Sequence, residues 1–72
     1  MKNSIKIRRK KLKLSQEELA SLSNVTRQTI LAIENNKYDP SLTLAFILAR
    51  KLNTTVDELF EFEENGGDLS DF

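Results

Sequence analysis

Seventy-two residues, 39% hydrophobic and 31% charged, suit one small folded domain with a thin core and are too apolar for a disordered chain. With no Cys and no His, the chain lacks disulfide staples, thiolate nucleophiles, the usual zinc ligands and the usual general base. The zero net charge hides a division: residues 1–52 carry all 11 basic residues against 4 acidic ones, while residues 53–72 carry 7 acidic residues and no basic one.

The predicted elements are helical almost throughout. In the first, Ile5, Arg9 and Leu12 recur at i, i+4 and i+7, with Lys6, Arg8, Lys10, Lys11 and Lys13 around them. That is an amphipathic helix with a very basic solvent face. Ser15-Gln16-Glu17-Glu18 is a capping box: the Ser15 hydroxyl accepts an orphan N–H while Glu18 reaches back. It opens a helix of about two turns with Leu19, Ala20 and Leu22 as its buried face, and Asn24 suits a left-handed stop. Thr26 is the next N-cap. Ile30 and Ile33 form the buried stripe behind it, and Arg27, Gln28, Leu31 and Ala32 face elsewhere.

Asn35 through Pro40 is turn chemistry, so the third helix stops near Asn35, with Tyr38 expected beside Pro40. Ser41 caps a fourth helix with Leu44, Ala45, Leu48 and Leu52 at core spacing, and Asn53 ends it. Thr55-Val56-Asp57-Glu58 reads as a second capping box, opening a short fifth helix through Phe60. Phe60-Glu61-Phe62-Glu63 then alternates with the period of a strand, which could pair with residues near Met1–Ser4. Residues 1–62 are expected to form one domain, and residues 63–72 an acidic flexible tail.

Two short helices joined by a tight turn form the helix-turn-helix arrangement. Ala20 is small where the helices must cross closely, and Val25, Ile30 and Ile33 pin the second of them to the core. The free face then carries Arg27, Gln28 and Thr29 in its first turn. Arg can pair bidentately with guanine and Gln with adenine in the major groove, and Thr can touch a base or a phosphate. The basic first half fits a polyanion partner, so double-stranded DNA is the expected ligand.

Residues 5–60 resemble the Cro/C1-type helix-turn-helix family, also called XRE-type regulators and typified by phage repressors. The matching stretches are Leu14–Ala20, Val25–Ile30, Ala32–Asn35, Lys37–Leu42 and Val56–Phe60, in that order. The resemblance implies an all-α, five-helix, lambda-repressor-like DNA-binding domain, here with a short C-terminal strand, that works as a dimer on a two-fold operator. Asn24 departs from a common Gly of the family. Lys13 departs at another, leaving either a strained residue or a longer first helix.

By the same resemblance, Gln16 matches the residue that binds a phosphate at the groove edge, and Arg27, Gln28 and Ala32 fall where bases are read. Asn35 and Lys37 fall where the following loop meets the DNA backbone. Thr26, Thr29, Arg8 and Lys10 join that backbone set by their chemistry and position. Arg9 and Glu34 match a partly buried salt bridge between the first and third helices.

Val56, Leu59, Phe60 and Phe62 offer more apolar surface than a thin core should absorb, so they are the expected homodimer interface. The expected function is a sequence-specific DNA-binding transcriptional regulator, a repressor, with no enzymatic activity. It would be cytoplasmic, since no apolar run could span a membrane and the basic start lacks a signal peptide's apolar stretch. No metal, cofactor or small-molecule effector is expected. The alternative is an antitoxin-like or immunity component that binds DNA and neutralises a protein partner through its acidic end.

Overall fold

The computed structural model describes residues 1–61, so Phe62 and the expected acidic tail at 63–72 lie outside the described residues. The element order is β1 (Lys2–Asn3), α1 (Ile5–Lys11), α2 (Gln16–Leu22), α3 (Arg27–Glu34), α4 (Leu42–Lys51), α5 (Val56–Leu59) and β2 (Phe60–Glu61). The strands pair antiparallel, Lys2 opposite Glu61 and Asn3 opposite Phe60, which joins the start of the fold to its end. The Ser4 N–H donates to the Leu59 carbonyl at 2.9 Å and continues that junction into α1.

Local chemistry sets the helix starts. The hydroxyls of Ser15, Thr26, Ser41 and Thr55 each accept the backbone N–H three residues on, satisfying donors that the first turn leaves free. At α2 the box is complete, because Glu18 Oε1 accepts the Ser15 N–H at 2.9 Å. That N–H, then the Ser15 hydroxyl, holds the Glu18 carboxyl below its ordinary range. The second box differs from expectation. Glu58 Oε1 accepts the hydroxyls of Thr54 and Thr55, each at 3.2 Å, rather than the Thr55 N–H.

Four residues after the helices adopt left-handed backbone: Lys13, Asn24, Asn36 and Asn53, with φ between 57° and 60°. Asn tolerates this region better than other residues with a Cβ. Lys13 does not, and it answers the question left open by its position: α1 ends at Lys11 and Lys13 takes the strain.

One core unites the helices. Ile5, Leu19, Ile30, Ile33, Leu48 and Leu59 are fully buried, with Leu14, Val25 and Val56 packed against them. Two expected core positions are corrected. Leu12 is 40% exposed because it caps α1 just before the chain turns at Lys13, and Leu14 packs inward instead. Leu22 is 49% exposed. At ~100° per residue, Ser23 projects between Leu19 and Ala20, while Leu22 falls outside that arc. Ser23 is accordingly buried, and its Oγ has no hydrogen-bond partner among the described residues.

Candidate nucleic-acid interface

The turn between α2 and α3 is compact. The Ser23 N–H bonds the Leu19 carbonyl, the Asn24 N–H bonds that of Ser21, and the Val25 N–H returns to Ala20 at 3.0 Å. Asn24 reverses the chain and half-buried Val25 packs against the core, so α3 starts at a fixed angle behind its cap, Thr26. Ile30 and Ile33 bury one face of α3. The opposite face is free: Arg27 and Gln28 are exposed, and Thr29 and Ala32 are half-buried. The Thr26 hydroxyl accepts the Thr29 N–H at 3.2 Å and lies 3.0 Å from the Thr29 hydroxyl, so this pair is fixed at the mouth of the helix.

At the other end of α3, Glu34 gathers three elements. Its Oε2 accepts Arg9 Nε at 2.8 Å, and its Oε1 accepts Arg9 Nη2 at 3.4 Å. Gln16 Nε2, from the first residue of α2, donates to the same Oε1 at 3.1 Å. Arg9 Nη1 donates to the Leu14 carbonyl at 2.9 Å. The two charged side chains are 9% and 3% exposed, so this is a buried, intramolecular pair.

Beyond Glu34, the Lys37 N–H bonds the Ala32 carbonyl at 2.9 Å and leaves Asn35 and Lys37 exposed just past the helix. Lys10 is exposed, whereas Arg8 is half-buried with its Nε donating to Ser4 Oγ at 2.9 Å. Asn3 has a role that the sequence analysis missed. Its Nδ2 donates to the Ile33 carbonyl at 2.8 Å and to Asn36 Oδ1 at 3.3 Å, while its Oδ1 accepts the Ile5 N–H. It fastens the loop after α3 to the start of α1. The Asn two residues before a helix was the available signal.

An exposed polar first turn on a helix pinned through its opposite face can enter the major groove without disturbing the core. A helix-turn-helix family model matches residues 5–59, which span α1 through α5. The chain belongs to the Cro/C1-type helix-turn-helix family. It is 46% identical over 65 residues to an uncharacterized HTH-type transcriptional regulator of Methanocaldococcus jannaschii, covering 90% of this chain and 98% of that one. It is 41% identical over 64 residues to the HTH-type regulator YgzD of Bacillus subtilis, covering 89% and 97%.

Among solved structures it resembles the restriction-modification controller protein C.AhdI from Aeromonas hydrophila. The TM-score is 0.72 and the identity 34%, over 78% of this chain and 85% of that one. It also resembles hydroxypropylphosphonic acid epoxidase from S. wedmorenis, with TM-score 0.73 and 32% identity over 86% of this chain. That match covers only 33% of the epoxidase, so it concerns one segment and carries no activity across. This family member is a helix-turn-helix transcriptional regulator, and no helix among its described residues is long and apolar enough to cross a membrane.

Two of the four residues expected at the dimer face are buried in the chain's own core: Leu59 and Phe60 are 1% and 8% exposed. Phe60 also leaves α5 for extended backbone at φ −114°, ψ 139°, where it pairs with Asn3. Val56 is half-buried and packed against the core, and Phe62 lies outside the described residues. Among the described residues α4 also exposes apolar side chains beside this face: Leu42 is 70% and Phe46 55% exposed. They flank two openings between α4 and α5, of about 680 and 240 Å³, which share Met1, Val56 and Phe60. Tyr38 is exposed rather than packed away.

Proposed function

We propose that this protein is a sequence-specific repressor that acts in the cytoplasm, binding a two-fold operator in double-stranded DNA as a homodimer and blocking the promoter it covers. The observation that carries the reading is the exposed pair Arg27 and Gln28 at the start of a capped helix buried along its other face. In this reading Arg27 and Gln28 hydrogen-bond base edges and Ala32 meets a thymine methyl. Gln16, Thr26, Thr29, Asn35 and Lys37 hold the phosphates on either side, with Arg8 and Lys10 adding charge from α1.

The dimer is supported by Leu42, Phe46 and the apolar opening beside them, a surface exposed among the described residues. A two-fold contact must set the recognition helices about 34 Å apart to meet one turn of DNA. Selection of bound sequences from random duplexes should return a palindromic site. On that site, log K should fall with log salt by about 0.9 per phosphate neutralised. Arg27→Ala or Gln28→Ala should lose about 1–3 kcal/mol of discrimination at particular base pairs, whereas Lys37→Ala should weaken all sites alike. A flat salt titration, or uniform losses from all three variants, would sink the proposal.

A further inference from the structure

The Arg9–Glu34 pair would tie α1 to α3 without any help from α2, yet Glu34 Oε1 also accepts Gln16 Nε2 at 3.1 Å. A glutamine amide nitrogen carries two donors in one plane, and a carboxylate can only accept. The bond therefore fixes which end of the Gln16 amide faces Glu34, and the second N–H of the same nitrogen has no partner among the described residues. Gln16 is half-buried and its bond to Glu34 is partly buried, so the side chain is not sealed from solvent.

We infer that Glu34 is a positioning residue for DNA binding: it holds the Gln16 amide with one N–H, so that the other is presented, already oriented, to a phosphate oxygen. This rests on the reading of Gln16 as a backbone contact. Arg9 makes the arrangement workable. A bare carboxylate behind the contact would repel a phosphate, but at 2.8 Å the guanidinium cancels its charge. The pair is neutral toward DNA and acts through geometry alone. Ordering one rotamer-rich side chain in advance is worth about 2- to 10-fold in affinity per half-site.

The test is a double-mutant cycle on a short mixed-sequence duplex at low salt, which suffices because phosphate contacts do not depend on sequence. Gln16→Ala, Glu34→Ala and the double variant are titrated well below their melting temperatures, with Arg9→Met plus Glu34→Leu, which also removes the acceptor, run in parallel in both Gln16 backgrounds in case Glu34→Ala does not fold. Replacing Glu34 should weaken binding about 2- to 10-fold per half-site when Gln16 is present and have little effect when Gln16 is already Ala. A role confined to stability gives equal losses in both backgrounds and overturns the inference while leaving the DNA reading intact. Tighter binding after the Glu34 change means that the carboxylate withholds the donor, which also overturns it. If Gln16→Ala binds like the parent, the phosphate contact and the positioning role fall together.

A second measurement needs no variant that could unfold. The chain has two glutamines, and Gln28 is exposed with no side-chain bond among the described residues. Side-chain 15N relaxation of the free protein should find the Gln16 amide ordered and that of Gln28 flexible, with an order parameter below about 0.6. Equal mobility of the two refutes the inference.

Discussion

Glu34→Ala offers the sharpest energetic test of the site, because it empties one half of a buried ion pair. With Glu34 and Arg9 at 3% and 9% side-chain exposure, water cannot readily replace what the carboxylate supplied. Arg9 would keep its bond to the Leu14 carbonyl through Nη1 but would lose both contacts at Nε and Nη2. Stranding one charge in this way costs about 3–5 kcal/mol. Small domains hold about 5–15 kcal/mol in all, and a thin core places this one toward the lower end. At about 4–8 °C per kcal/mol for a chain of this size, the melting temperature should fall by more than about 10 °C. Urea unfolding and thermal melts followed by circular dichroism measure it directly. The companion variant Arg9→Met with Glu34→Leu should recover much of the loss, since two apolar side chains strand no charge. A Glu34→Ala protein that melts like its parent would show that the pair contributes nothing, and the argument from burial would be wrong.

The two phenylalanines at opposite ends of the burial range should separate folding from assembly. Phe46→Asp, at an exposed site, should stay folded and sediment as a monomer, whereas Phe60→Asp should unfold; a folded, dimeric Phe46→Asp moves the interface elsewhere. Lys13→Gly should stabilise the fold by about 0.5–1 kcal/mol, because relief of left-handed strain exceeds the added freedom of the unfolded chain; a lower melting temperature would show that Lys13 is not strained.

Much of this fold is legible in the sequence where the controlling chemistry is local. A Ser or Thr hydroxyl reaching an N–H three residues on needs no tertiary information, and the same holds for Asn24 and Asn53 at helix ends. The core stripe of α4 is also legible, since Leu44, Ala45, Leu48 and Leu52 all prove buried. What periodicity could not decide is which of two apolar stripes meets the rest of the chain. α4 carries a second one, Leu42 and Phe46, and α5 with β2 carries Leu59 and Phe60. Both were available for the core. The antiparallel pairing of Asn3 with Phe60 holds the end of α5 inward, while Leu42 and Phe46 stay exposed among the described residues. The Arg9–Glu34 pair is expected from the family resemblance and is present, but the bond from Gln16 to Glu34 was not legible. Arg9, Gln16 and Glu34 are separated by 7 and 18 positions, and only the packing of three helices makes them neighbours.

That junction links stability to recognition. α3 is fixed at its start by Thr26 and the compact turn, and at its end by Glu34. The first turn of α3 lies between these anchors and its exposed Arg27 and Gln28 contribute nothing to the core, so on the proposed function they could vary with the operator. Glu34 has no such freedom. One carboxylate accepts from α1 to hold the domain together and from α2 to set the Gln16 amide. Substitutions at the reading turn should therefore change which sequence is bound at constant stability, whereas substitutions at Glu34 should change stability and affinity together at constant sequence preference. The division follows from burial: an exposed side chain can be specific for DNA, while a buried one can act on DNA only through the side chain it holds in place.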